Sequence, residues 1–315
     1  MSAHKHDMSL DSPRPHALVV PFPAQGHIGP MMHLSIKLAM DAGFVITFVN
    51  THHHHASLKQ LLEPRFHEHG LHHIHLAQVV NAERDSGDTT GSQGIIELCE
   101  SFYKLGPAYE DLVESLLPTG HDSNDWANPS ANLSSPPPLT CIISDLYNYF
   151  MQDVASKFGL KYVAFWTASA GMLAKAMSVV AHGHRAPPPD EEQVQEEEEE
   201  EPLITWIPGV PPLKRSEFHE FLLNPDPEDL MYRCFETSYR RLREAACVAI
   251  NTFEELEAES LAALRMDNEP LEIYSVGPLL PDSYFNNASE RPAKNGDGGG
   301  QQQQRVEPRV EQQHR

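Results

Sequence analysis

The stretch 19–39, VVPFPAQGHIGPMMHLSIKLA, passes from an apolar run into a helical repeat, and His27 stands at the joint. Imidazole is the side chain best suited to take up a proton near neutral pH. As a base it needs a partner that fixes its tautomer and stabilises the imidazolium, and a buried carboxylate does both. Asp145 is placed for that duty, because it directly follows the apolar run LTCIIS (139–144) and precedes the next helical segment. Two plainer duties compete. Asp is a common helix N-cap, so Asp145 can serve the following helix alone. His27 can equally be a turn residue that packs on the start of its helix.

Other chemistries fit less well. A dinucleotide site after a first strand needs the spacing GxGxxG. Here Gly26 and Gly29 give only GHIG, Pro30 follows, and Asn50-Thr51 rather than an acidic residue close the second strand. A nicotinamide or flavin site is therefore disfavoured. The run THHHH (51–55) invites a metal reading, but four adjacent histidines cannot all face one ion from one loop, and no Cys or carboxylate neighbours them. Cys99, Cys141, Cys234 and Cys247 are widely spaced and form no CxxC pair, so they are expected as free thiols in a reducing compartment.

The elements that must position His27 and Asp145 are legible as an alternation. Residues 17–22 read as a buried strand and 28–41 as a helix with Met31, Leu34 and Leu38 on one face, ended by Gly43. VITFV (45–49) is β-branched and aromatic, hence a second strand. Further strands are expected within 71–80 and at 139–144, 161–166, 247–251 and 272–277. Helices are expected at 95–117 (broken near Gly106-Pro107), 147–158, 168–180, 228–245 and 254–265. Repeated strand–helix alternation predicts an α/β layered fold with a mostly parallel, doubly wound sheet. Such sheets bind ligands at the carboxyl ends of their strands, which puts the His27 and Asp145 connections on the same edge.

Composition sets the boundaries. The chain has 315 residues and a formal net charge of −22. Nine acidic residues fall in 190–201 alone, within a proline-led acidic loop, 184–201, expected to be solvated and disordered. An acidic chain with no basic stripe repels phosphate backbones, so nucleic acid is not an expected partner. The longest uncharged, mostly apolar run, 162–174, is too short to span a membrane. The N-terminus lacks the apolar segment of a secretory signal, so a cytoplasmic protein is expected. Residues 1–15 read as a disordered leader, 16–281 as one domain, and 282–315 as a low-complexity linker or tail rich in Gly and Gln.

Five blocks in order carry a family resemblance: 19–51 around PFPAQGHIGP, CIISDLYNYFMQDVASKFGLKYVAFWTASA (141–170), WIPGVPPLKRSEF (206–218), AINTFEELE (249–257) and YSVGPLLP (274–281). Together they resemble the N-terminal half of plant-type UDP-dependent glycosyltransferases that modify small molecules. The resemblance implies a GT-B architecture of two facing Rossmann-like domains, with this chain as the first, acceptor-binding one. It implies His27 as the general base that deprotonates the acceptor hydroxyl, Asp145 as its acidic partner, and Thr167 as a hydroxyl that contacts the donor sugar or phosphate. The implied reaction is a direct displacement at the anomeric carbon with inversion. UDP-sugar is the co-substrate, with glucose the expected sugar and a small, possibly phenolic molecule the acceptor, and no metal is implied. A glycosidase would need two carboxyls flanking the bond, and no such pair is evident. An aromatic acceptor would have Tyr147 or Phe150 to stack on, although a core-facing role suits both rings better.

The chain departs from that family after residue 281. The family's donor-binding signature, Trp and Pro-Gln, then His-Cys-Gly-Trp-Asn-Ser, then an acidic residue and Gln, does not occur, and Trp126, Trp166 and Trp206 all lie in the first domain, 16–281. The resulting expectation is a truncated enzyme, weak or inactive alone. The alternative is a non-catalytic module that keeps only the acceptor pocket.

Overall fold

The computed structural model describes residues 14–51, 55–56, 58–60, 71–79, 103–118, 136–181, 203–218, 226, 228 and 230–280. Contacts divide the chain into Met1–Leu280 and Pro281–Arg315, and every described residue lies in the first unit. The leader, the histidines at 52–54, the acidic loop and the Gly/Gln-rich tail all fall outside the described residues.

The first strand, β1 (His16–Val20), is buried along its whole length. It leads into α1 (Gln25–Asp41), then β2 (Val45–Thr51) and β3 (Ile74–Val79). Next come α2 (Gly106–Ser115), β4 (Cys141–Asp145), α3 (Phe150–Lys157), β5 (Lys161–Trp166) and α4 (Ala170–Ala181). Two-residue strands β6 (Leu203–Ile204) and β7 (Leu213–Lys214) pair with each other. The described chain closes with α5 (Leu230–Arg241), β8 (Cys247–Ile250), α6 (Glu254–Asp267) and β9 (Glu272–Ser275).

The large sheet has the order β3-β2-β1-β4-β5-β8-β9, and every neighbouring pair is parallel. Strand order runs outward from β1 in both directions, so the switch point lies between β1 and β4. Alternate side chains supply two cores. Leu18, Val20, Ile142, Ala164, Trp166, Val248 and Ile250 face the layer of α2 to α6. Ala17, Val19, Ile46, Phe48, Ile143, Phe165 and Ala249 face α1. Burial on both faces explains why these strands read as continuous apolar runs rather than alternating ones.

Several element limits differ from the sequence reading. Helix α1 begins at Gln25, three residues early, so His27 lies in its first turn rather than on a loop. Ala24 is extended, and its carbonyl accepts the N–H groups of His27 (2.9 Å) and Ile28 (3.0 Å), which starts the helix in spite of two glycines and Pro30. The expected break at Gly106-Pro107 is the start of α2, where proline's fixed φ and missing N–H cost nothing; residues 95–102 lie outside the described set. Helix α3 starts at Phe150 and not Tyr147, because residues 145–149 form a turn around the Asp145 side chain. The β6–β7 pair frames Gly209, whose φ of 69° and close approach to Glu259 leave no room for a side chain. Among the described residues, no helix is long and apolar enough to cross a membrane.

Candidate active site

The carboxyl edge of the sheet carries a row of polar side chains at or just after four strands: Asn50 on β2, Asp145 on β4, Thr167 after β5 and Asn251 after β8. His27 meets this row from α1. Its Nδ1 lies 2.6 Å from Asp145 Oδ2. The carboxylate only accepts, so Nδ1 carries the proton and the lone pair able to take another sits on Nε2. The Asp145 side chain is 2% exposed, whereas that of His27 is 22% exposed. The carboxylate is thus held inside while the imidazole reaches solvent.

Asp145 is fixed from three sides. Its Oδ1 accepts the Tyr147 N–H at 3.0 Å, and its carbonyl accepts the Asn148 N–H at 3.0 Å. Asn148 Nδ2 donates to the Val20 carbonyl (2.9 Å) and to Ser144 Oγ (3.1 Å), and Ser144 Oγ donates to the same Val20 carbonyl (3.1 Å). These bonds tie the end of β4 to the end of β1, whose chain then turns into α1. Asp145 therefore caps its own turn and does not cap α3, whose N-cap position is Tyr149. Of the competing duties, pairing with His27 is the one the geometry displays.

Burial opposes protonation of His27, but attraction to Asp145 and the hydrogen bond with it outweigh that effect, and the pKa lies above its ordinary value. Rings enclose the imidazole: Phe22 at 5.3 Å and Tyr147 at 5.8 Å between centroids. Tyr147 also packs on Phe235 (4.4 Å) and Trp166 (5.6 Å), so it joins the core to the site. Burial, first of all, raises its phenol pKa, and its hydroxyl bonds Tyr239. Phe150 instead packs on Tyr109 and Tyr103.

Thr167 also comes to the site. Its Oγ1 lies 3.5 Å from His27 Nδ1, and its carbonyl accepts a bond from Asn251 Nδ2 at 3.3 Å. The structure thus brings together all three residues singled out in the sequence. Sequence reasoning missed Asn50, Asn148, Asn251 and Glu257. Among the described residues, neither end of the buried Asn50 amide finds a hydrogen-bond partner, nor does Asn148 Oδ1. A polar residue closing an apolar run was the available signal for Asn50 and Asn251. Among the described residues, no group of three or more His, Cys, Asp or Glu side chains is arranged to hold a metal ion.

The fold is thus a doubly wound parallel α/β sheet with a His–Asp pair at its switch point. No model of a protein family matches the sequence. Curated relatives do. The chain is 32% identical over 277 residues to (R)-mandelonitrile beta-glucosyltransferase of Prunus dulcis, covering 86% of this chain and 53% of that protein. It is 34% identical over 271 residues to linamarin synthase 1 of Manihot esculenta, covering 84% and 52%. Solved structures share the fold: apo UGT2 of Phytolacca americana superposes with a TM-score of 0.62 at 17% identity, over 88% of this chain and 55% of that one. UGT71G1 of Medicago truncatula, complexed with UDP-glucose, gives 0.61 at 20% identity, over 86% and 53%. The homologues of this chain are thus plant UDP-glycosyltransferases of GT-B fold. The chain spans about half the length of the curated relatives it matches.

Proposed function

We propose that this chain provides the acceptor side of an inverting, UDP-sugar-dependent glycosyl transfer, with residues 16–281 as the acceptor-binding domain. The observation that carries the reading is the 2.6 Å bond between His27 Nδ1 and Asp145 at the switch point. An acceptor hydroxyl that bonds to Nε2 gives up its proton there as its oxygen attacks the anomeric carbon. Asp145 holds the tautomer and stabilises the imidazolium. UDP departs from the opposite face, and because diphosphate is already a good leaving group the step calls on no metal. Thr167, beside the base, is assigned to the donor. Glucose is the proposed sugar, in line with the glucosyltransferases among the relatives. A small hydroxylated molecule is the proposed acceptor, with phenols the first class to try. Cys141, Cys234 and Cys247 are free thiols, which fits a cytoplasmic location.

The 315-residue chain by itself is expected to turn over weakly or not at all, since it spans half the length of its relatives. The test supplies UDP-glucose and a phenolic panel to the chain and to a chimera that adds the remaining half of a curated relative. The expected result is glucoside and UDP from the chimera, lost on His27→Ala. Undiminished transfer by that variant would remove His27 as the base. Acceptor binding by a chimera that never transfers would favour the alternative, a binding module without catalysis.

A further inference from the structure

The turn that carries Thr167 is gripped from outside its own element. Helix α4 begins at Ala170, and the first-turn N–H groups of a helix have no partner within it. Here the N–H groups of Ala170 and Gly171 donate to Glu257 Oε2 (2.8 Å) and Oε1 (3.0 Å). The Thr252 hydroxyl donates to the same carboxylate at 2.6 Å. Glu257 stands where α6 departs from helical dihedrals, at φ −135° and ψ 37°. That break accompanies a carboxylate that reaches across to α4 rather than along its own helix.

The other end of the turn is held by the same segment. Asn251 Nδ2 donates to the Thr167 carbonyl (3.3 Å), and the Asn251 N–H donates to the Trp166 carbonyl (2.9 Å). Residues 251–257 therefore clamp residues 166–171 at both ends. An ordinary N-cap comes from the residue before the helix and fixes only that helix. A carboxylate supplied by a neighbouring helix also fixes where the turn stands, and a negative charge at a helix N-terminus makes the grip strong.

We propose that Glu257 is a positioning residue, whose carboxylate holds the first turn of α4 so that the Thr167 hydroxyl stands beside His27. The use to which Thr167 is put rests on the transfer reading above, whereas its placement rests on geometry alone. In Glu257→Gln the amide nitrogen faces a helix N–H and cannot accept from it, so one of the two α4 bonds is lost. Thr252→Val removes only the third bond to the carboxylate and serves if the Gln variant fails to fold.

The experiment follows three readouts: amide exchange at Ala170 and Gly171, the His27 ring resonances by NMR, and the KM for UDP-glucose in the chimera. Glu257→Gln is expected to speed exchange, to move the His27 resonances, and to raise the donor KM on the order of tenfold with acceptor affinity unchanged. Thr252→Val should do the same to a smaller extent. Faster exchange with unchanged His27 resonances and an unchanged donor KM would overturn the proposal and leave Glu257 as a cap for α4 alone. A chimera that transfers no sugar would defeat the functional reading, and the His27 resonances would still decide the placement.

Discussion

Asp145→Asn probes the pair with little change of shape. The amide oxygen can still accept the Tyr147 N–H, now at 3.0 Å, so the turn is kept, while the amide nitrogen faces His27 Nδ1 in place of the carboxylate; the charge is lost and the ring proton is driven to Nε2. Burial pushes the His27 pKa down, and the Asp145 carboxylate more than reverses this. In the variant the downward push remains alone, so the pKa falls below the ordinary value of about 6.5. A hydrogen bond to a charged group contributes about 1.5–3 kcal/mol. If that strength is realised in the transition state, its loss alone lowers kcat/KM roughly 10- to 150-fold, and the inverted tautomer, which takes the lone pair from Nε2, deepens the loss towards about 10⁴-fold.

The pH signature has a definite sign. The base works when neutral, so the wild-type rate climbs through a limb above about pH 6.5, and the limb of the variant lies below it. Stability follows the same linkage. A histidine with a raised folded pKa lends stability that is full below its unfolded pKa of about 6.5 and is lost as pH rises through the folded value. Urea unfolding should therefore show a larger deficit for the variant at about pH 5.5 than at about pH 8. NMR titration of the His27 ring over about pH 5 to 8 reads the shift without any turnover. The same titration midpoint in both proteins would refute the reasoning.

Two further outcomes concern the scaffold. His16 is wholly buried, with Nδ1 bonded to the Pro137 carbonyl (2.6 Å) and Nε2 to Thr47 Oγ1 (2.8 Å), and burial above all lowers its pKa. Its contribution to stability is present above about pH 6.5 and is lost as pH falls towards the folded value; His16→Gln should flatten that dependence and cost about 1–3 kcal/mol at neutral pH, and an unchanged pH slope in urea melts would contradict this. At Gly209, a Cβ would sit 2.4 Å from the Glu259 carbonyl oxygen at a φ of 69°, so Gly209→Ala should destabilise by at least about 2 kcal/mol; a Tm equal to wild type would show that the turn adapts.

How much of this was legible in the sequence depends on the range of the interaction that decides each feature. The strand KYVAFW is found where its β-branched and aromatic run places it, because burial on both faces leaves a local signal. The nearness of His27 to Asp145 was readable from strand alternation and the rule for the carboxyl edge. The start of α1 at Gln25 was hidden by Gly26, Gly29 and Pro30, whose local preferences are overridden once Ala24 accepts the first helical bonds. The reach of Glu257 to α4 has no sequence signature, since its partners on that helix are backbone N–H groups that any residues but proline would offer at 170 and 171. The β6–β7 pair is two residues long on each side, too short to show a period.

The joining of β1 to β4 also bears on how the chain reaches its native state. Ser144 meets the Val20 carbonyl from 124 positions away, whereas Leu18 meets Thr47 of β2 across a much shorter stretch. Closing the longer loop costs about 1 kcal/mol more in chain entropy, and pairings of such range tend to slow folding. The hydrogen bond between His27 and Asp145 cannot exist until that closure has happened. Its NMR resonance is thus a natural reporter of the step in which the two halves of the sheet come together.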